Sequence, residues 1–201
     1  GLYFKESGDI PKAIEWLERA SQTDLSILSE QKRSPFLQDG KTLNNLRGMG
    51  FYVDPNVDEA LYIAQFNLAV IYDYGEEPYQ NKSKALKLYE QSARQGFSDA
   101  QSNLGYLFSS GGVNGKPDFD KAFYWYSRAA EQSNNNASYN LSFYYRSGRS
   151  VQKDPEKALR LLSDVTGEHR PAAMKLIGDM YRGILSLVSE SCRSRGYRWT
   201  V

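Results

Sequence analysis

The chain has 201 residues, and its 25 Lys and Arg against 24 Asp and Glu leave a formal charge of +1, without the basic stripe that nucleic-acid binders carry. One cysteine, Cys192, excludes an internal disulfide framework but does not fix the compartment. No apolar run reaches the roughly 18 residues that a membrane-spanning helix needs.

The chain starts at Gly1 without a methionine or a charged segment leading into an apolar one, so it reads as a fragment from which any targeting segment has been left off. From Asp9 to Ala20, Lys12-Ala13, Leu17 and Ala20 read as a partial helical unit, and residues 1–21 are assigned to a partial first repeat. Residues 22–56 break the pattern with Ser34-Pro35, Asp39-Gly40, Gly48, Gly50 and Asp54-Pro55. They are expected to form an insertion, with a short helix near 41–47, acting as a surface loop or a docking element.

From residue 57 the chain repeats itself. Ala64-Gln65-Phe66-Asn67-Leu68, Ala100-Gln101-Ser102-Asn103-Leu104 and Ala137-Ser138-Tyr139-Asn140-Leu141 are clear copies, and Ala172-Ala173-Met174-Lys175-Leu176 is a frayed one. Ala64, Ala100, Ala137 and Ala173 stand 36, 37 and 36 residues apart, a period that marks a stacked array. A glycine follows each leucine by seven positions (Gly75, Gly111, Gly148, Gly183), and Lys-Ala pairs recur at Lys84-Ala85, Lys121-Ala122 and Lys157-Ala158.

In the unit at 98–131, Ala100, Leu104, Leu107 and Phe108 form one helical face. Ser98 or Asp99 is the expected cap, Gly111-Gly112 the stop, and Val113 to Pro117 a loop. Asp118 then caps a second helix with Ala122, Tyr126 and Ala129 facing inward. Asp154 and Pro155 repeat that start. One helix pair cannot bury its apolar face alone. The fold class expected is therefore all-α: a right-handed α-α superhelix, or solenoid, of antiparallel helix pairs. The repeats are placed at 57–183, with 184–201 as an atypical C-terminal cap or tail in which Ile184 to Val188 start a new helix.

Ala-x-x-Asn-Leu, an aromatic, a glycine and Lys-Ala-x-x-x-Tyr-x-x-Ala at this period closely resemble the Sel-one-like repeat, a relative of the tetratricopeptide repeat with a longer inter-helix loop. The resemblance covers roughly residues 58–183. It implies a TPR-like fold and a non-catalytic adaptor or scaffold. Similar proteins serve in endoplasmic-reticulum degradation complexes, as activators of membrane enzymes and as bacterial host-interaction factors.

No catalytic constellation stands out. His169 is the lone histidine, in a turn, and pairing it with Cys192 would join a loop to an atypical tail. Metal ligation lacks Cys and His at ligand spacing. Gly111-Gly112-Val113-Asn114-Gly115 lacks the lysine and hydroxyl residue of a P-loop. No cofactor is expected. The sequons at Asn81, Asn136 and Asn140 read as chance occurrences.

On the first helices, Leu68, Leu104 and Leu141 point inward, and Asn67, Asn103 and Asn140 turn about 100° away, as a ladder along the concave wall. An amide carries both donor and acceptor, enough to hold a peptide backbone. The resemblance implies the same, since asparagines in this place bind peptide in tetratricopeptide proteins. Phe66, Val70, Tyr106, Tyr139, Phe143 and Arg146 flank the ladder as further groove residues. Tyr72, Phe108, Tyr145, Tyr89 and Tyr126 are assigned to packing, and Lys84, Lys121 and Lys157 to a solvated row.

The partner expected is a protein or extended peptide, not nucleic acid. An RNA-binding helical repeat is the alternative, and a hydrolase of the cysteine-rich repeat type ranks below it. The cytoplasm is slightly favoured over the endoplasmic-reticulum lumen or another secretory compartment.

Overall fold

The computed structural model describes residues 10–21, 57–112 and 115–194, and all regular structure among them is helical. The insertion assigned to residues 22–56 lies outside the described residues, as do 195–201 of the C-terminal segment. Two compact units divide the chain after Gln132.

The first unit contains α1 (Ile10–Ser21), α2 (Val57–Tyr74), α3 (Lys82–Arg94), α4 (Ser98–Ser110) and α5 (Phe119–Ala130). From α1 to α4, each packs on the helix that follows it within this unit, which is the arrangement of a repeat array. Ala13 and Leu17 of α1 share one core with Leu68 and Ile71 of α2, Tyr89 of α3 and Leu104 of α4. The second unit contains α6 (Asn135–Ser147), α7 (Pro155–Ser163), a single 3₁₀ turn (Gly167–His169) and α8 (Arg170–Ser194). Its core holds Leu162, Val165, Ala173 and Leu176.

Small residues set how closely the helices approach. Ala85, Ala122, Ala129 and Ala158 are fully buried. At Gly105 a β-carbon would lie 2.8 Å from the Tyr126 ring, so the α5 tyrosine occupies the space a side chain would need.

Three inter-helix loops close in the same way, each through one residue. The backbone N–H groups of Asn81, Asp118 and Asp154 donate to the carbonyls of Tyr72, Phe108 and Tyr145 at 2.7, 2.8 and 2.8 Å. Their side chains then accept from the backbone N–H of Lys84, Lys121 and Lys157 at 3.0, 3.0 and 2.8 Å, capping the second helix. Each of those lysines folds back over the aromatic ring, with Nζ 4.8, 5.1 and 4.4 Å from the centroids of Tyr72, Phe108 and Tyr145. The lysine row is exposed, as expected. Its recurrence beside an aromatic is explained by this circuit.

Two local expectations give way. α4 starts with Phe97 at the N-cap position and no side-chain cap, so neither Ser98 nor Asp99 fills that role. Beyond Gly183 the helix does not stop: α8 runs through it to Ser194. Gly111 and Gly148 end their helices in the left-handed region, at φ 72° and 73°. A polar loop and a capping residue follow each of them, whereas Gly183 leads into Ile184-Leu185-Ser186-Leu187, which favours continuation.

Candidate functional site

Asparagines of the repeat motif meet different fates in the structure. Asn67 of α2 is only 3% exposed. A buried amide has its hydrogen-bonding capacity met inside the fold, so Asn67 is withdrawn from the ladder in which the sequence places it. Asn103 of α4 is half-buried, and its Nδ2 donates to the Tyr89 hydroxyl at 3.1 Å. Asn140 of α6 is also half-buried, with Nδ2 on the Asn136 carbonyl at 2.9 Å.

The flanking residues divide similarly. Phe66 and Val70 pack against the first core, and Phe66 meets the Phe97 and Tyr89 rings at 5.0 and 5.9 Å. Tyr106 is 49% exposed on α4. In the second unit Tyr139 and Phe143 are partly buried against the core, with ring centroids 5.2 Å apart. The exposed Arg146 lies over Phe143 at 5.1 Å, and His169 stacks on Tyr139 at 6.0 Å.

Around Asn103 and Tyr106 the structure adds residues that sequence reading did not select. Asp73 stands in the last turn of α2, the negative end of the helix dipole, where a carboxylate is locally disfavoured. Its side chain is 1% exposed. Lys82 binds its Oδ1, and the same ammonium donates to the Asp73 carbonyl at 2.8 Å. Tyr89 donates its hydroxyl proton to Asp73 Oδ2 at 3.4 Å. A polar chain therefore runs from Asn103 on α4, through Tyr89 on α3, to the Asp73–Lys82 ion pair.

Electrostatics follow from this burial. Desolvation pushes the Tyr89 phenol far above its ordinary range, and the Asp73 charge adds to the effect, while the Asn103 N–H opposes it. Tyr74, 47% exposed beside Asp73, is raised to about 12 by desolvation, then by the Asp73 charge and the neighbouring Tyr106. The site is a neutral phenol bridging an amide to a paired carboxylate, with two tyrosines, Tyr74 and Tyr106, facing solvent near it. Asp73 does not recur, since Ser109 and Arg146 occupy its place in the next two copies, and neither does its partner Lys82, replaced there by Phe119 and Pro155. That departure is the signal by which sequence reading alone would have found it.

His169 contacts its neighbour Glu168 at 3.4 Å, and the Cys192 side chain lies outside the described residues. Among the described residues, no three His, Cys, Asp or Glu side chains gather as metal donors do, and no helix is long and apolar enough to cross a membrane.

The Sel1 repeat family model matches residues 1–22, 63–97, 98–134 and 135–163, more than half of the chain. The chain belongs to the Sel1 repeat family. The first matched segment includes α1, and the frayed copy at Ala172 lies beyond the last. The chain is similar to a Sel1 repeat protein from Oxalobacter formigenes, at 33% identity and a TM-score of 0.51, over 59% of this chain and 88% of that one. It is also similar to c5321, a protective antigen of uropathogenic Escherichia coli strains with an SLR fold. There the identity is 23% and the TM-score 0.57, over 85% of this chain and about a third (34%) of that one. No curated protein matches the chain. The fold is thus the TPR-like helical repeat, and Sel1 repeat proteins are typically non-catalytic and generally mediate protein–protein interaction.

Proposed function

We propose that this chain is a non-catalytic adaptor that holds an extended segment of a protein partner against its repeat-opening helices and so helps to assemble or regulate a larger complex. In the first unit the contact surface is the Asn103 and Tyr106 face of α4. In the second it is the face of α6 bearing Asn140, Tyr139, Phe143 and Arg146.

The observation that carries this reading is the exposed Tyr106 ring one helical turn from the half-buried Asn103. Exposed aromatics on a rigid helix supply contact area at small entropic cost, and tyrosine and arginine dominate interface energetics. An amide beside them offers hydrogen bonds to peptide backbone irrespective of side-chain sequence. Phe66 and Val70 pack into the core of the first unit, where Phe66 meets the Tyr89 ring that Asn103 contacts.

The test begins with affinity purification of the intact chain from native cells and mass spectrometry of what it retains. Asn103→Ala combined with Tyr106→Ala is expected to lose those partners while keeping the helical spectrum. Tyr124→Ala, at an equally exposed tyrosine (53%) on the second-helix row, is the control expected to keep them. A folded double variant that retains every partner sinks the α4 assignment.

A further inference from the structure

The polar chain under Asn103 determines which end of its amide a partner meets. Asp73 is enclosed, and its carboxylate is satisfied by Lys82 on one oxygen and by Tyr89 on the other. A phenol has one proton to donate. With that proton given to Asp73, the Tyr89 oxygen can only accept, so the neighbouring Asn103 must turn its NH₂ inward, as its 3.1 Å contact shows. The opposite orientation would set an amide oxygen against a phenol oxygen with no proton between them, a buried polar clash.

We infer that Asp73, acting through Tyr89, fixes Asn103 with Oδ1 toward the surface beside Tyr106, so that this position receives a hydrogen-bond donor, the backbone N–H of an extended peptide. This rests on the peptide-binding reading and sharpens it: the site discriminates by hydrogen-bond polarity, and Asp73 and Tyr89 are positioning residues that never touch the ligand. Asn140 shows the same polarity in the second unit, its Nδ2 held by the Asn136 carbonyl. There the lock is a backbone carbonyl of its own helix. In the first unit it is a three-helix relay that depends on Asp73, for which the other repeats have Ser109 and Arg146.

The probes are acetyl-tetraalanine amide and the same peptide methylated at its backbone nitrogens, which keeps the carbonyls and removes the N–H groups. Both are titrated into the isotope-labelled full chain while the Asn103 side-chain amide and the Tyr106 backbone signal are followed by NMR. The unmethylated peptide is expected to bind about fivefold more tightly, the equivalent of one net hydrogen bond. Tyr89→Phe keeps the ring and removes the relay. Its Asn103 side-chain NH₂ is expected to lose protection from exchange, and its preference for the unmethylated peptide to disappear.

Each failure points to a different error. If neither peptide moves any α4 signal, the peptide reading falls and the polarity assignment falls with it. If the wild type binds both equally, peptide binding survives and the polarity assignment is wrong. If Tyr89→Phe, folded by circular dichroism, keeps both the preference and the protected amide, the relay has no role.

Discussion

Gly105 offers a test in which two known effects oppose each other. In a helix interior, replacing glycine by alanine gains about 1 kcal/mol of propensity. At Gly105, however, the new β-carbon would lie 2.8 and 2.9 Å from Cδ1 and Cε1 of Tyr126. Carbon contacts are most favourable at about 3.5–4.0 Å, so the ring must retreat by roughly 0.7 Å or more. Tyr126 is 1% exposed, and a close-packed interior transmits such a shift to its neighbours. Overpacking of this kind costs about 1–3 kcal/mol. Gly105→Ala is therefore expected to destabilise the first unit by about 1 kcal/mol net. Gly178 of α8 is the counterpart, because beyond its own helix backbone an added β-carbon meets nothing within 4 Å. There alanine should stabilise by up to about 1 kcal/mol. Urea denaturation followed by circular dichroism reads both from the midpoint, provided the slope is unchanged. If Gly105→Ala raises the midpoint as Gly178→Ala does, the close crossing of α4 and α5 is not tight in solution and the packing argument fails.

Gly111 and Gly115 both have positive φ, 72° and 68°, but only at Gly111 would a β-carbon strike backbone, 2.8 Å from the Lys116 carbonyl carbon. Gly115→Ala should cost about 1–2 kcal/mol for the left-handed conformation and Gly111→Ala clearly more; equal midpoint shifts would contradict this. For the loop circuit, a double-mutant cycle of Lys157→Gln and Tyr145→Leu should return a coupling of about 0.5–1 kcal/mol, whereas zero coupling would make the 4.4 Å stacking incidental. Burial, and then the Glu18 carboxylate that accepts its hydroxyl proton at 2.8 Å, raises Tyr72 from 10.0 to about 12. A raised folded value means the contribution is complete below the unfolded value and is lost as pH climbs from about 10 to about 12. Tyr72→Phe should flatten the alkaline limb of the stability–pH curve, and an unchanged limb would remove Tyr72 as its cause.

Much of the fold was legible in residue order because its determinants are local and recur. The period announced an array, and Leu68, Leu104 and Leu141 lie in the cores as their helical spacing predicts. Asp118 and Asp154 cap the helices that begin beside them, since a cap needs only the next three residues. The same local logic misplaced the start of α4 and the end of α8. In each case one residue type was given a role that its neighbours did not support.

What residue order determined by itself was the unit: a helix pair recurring every 36 or 37 residues, its inward leucines and alanines, the aspartate caps of its second helices and its family. Tertiary structure alone decided which repeated asparagine remains near the surface and which way its amide points. Asn67, Asn103 and Asn140 are equivalent in the motif, yet Asn67 is enclosed and Asn103 answers to a tyrosine 14 residues away and, beyond it, to a carboxylate on a third helix. A hydrogen bond depends on where two atoms lie in space, and helices brought together by packing supply partners that no local spacing encodes.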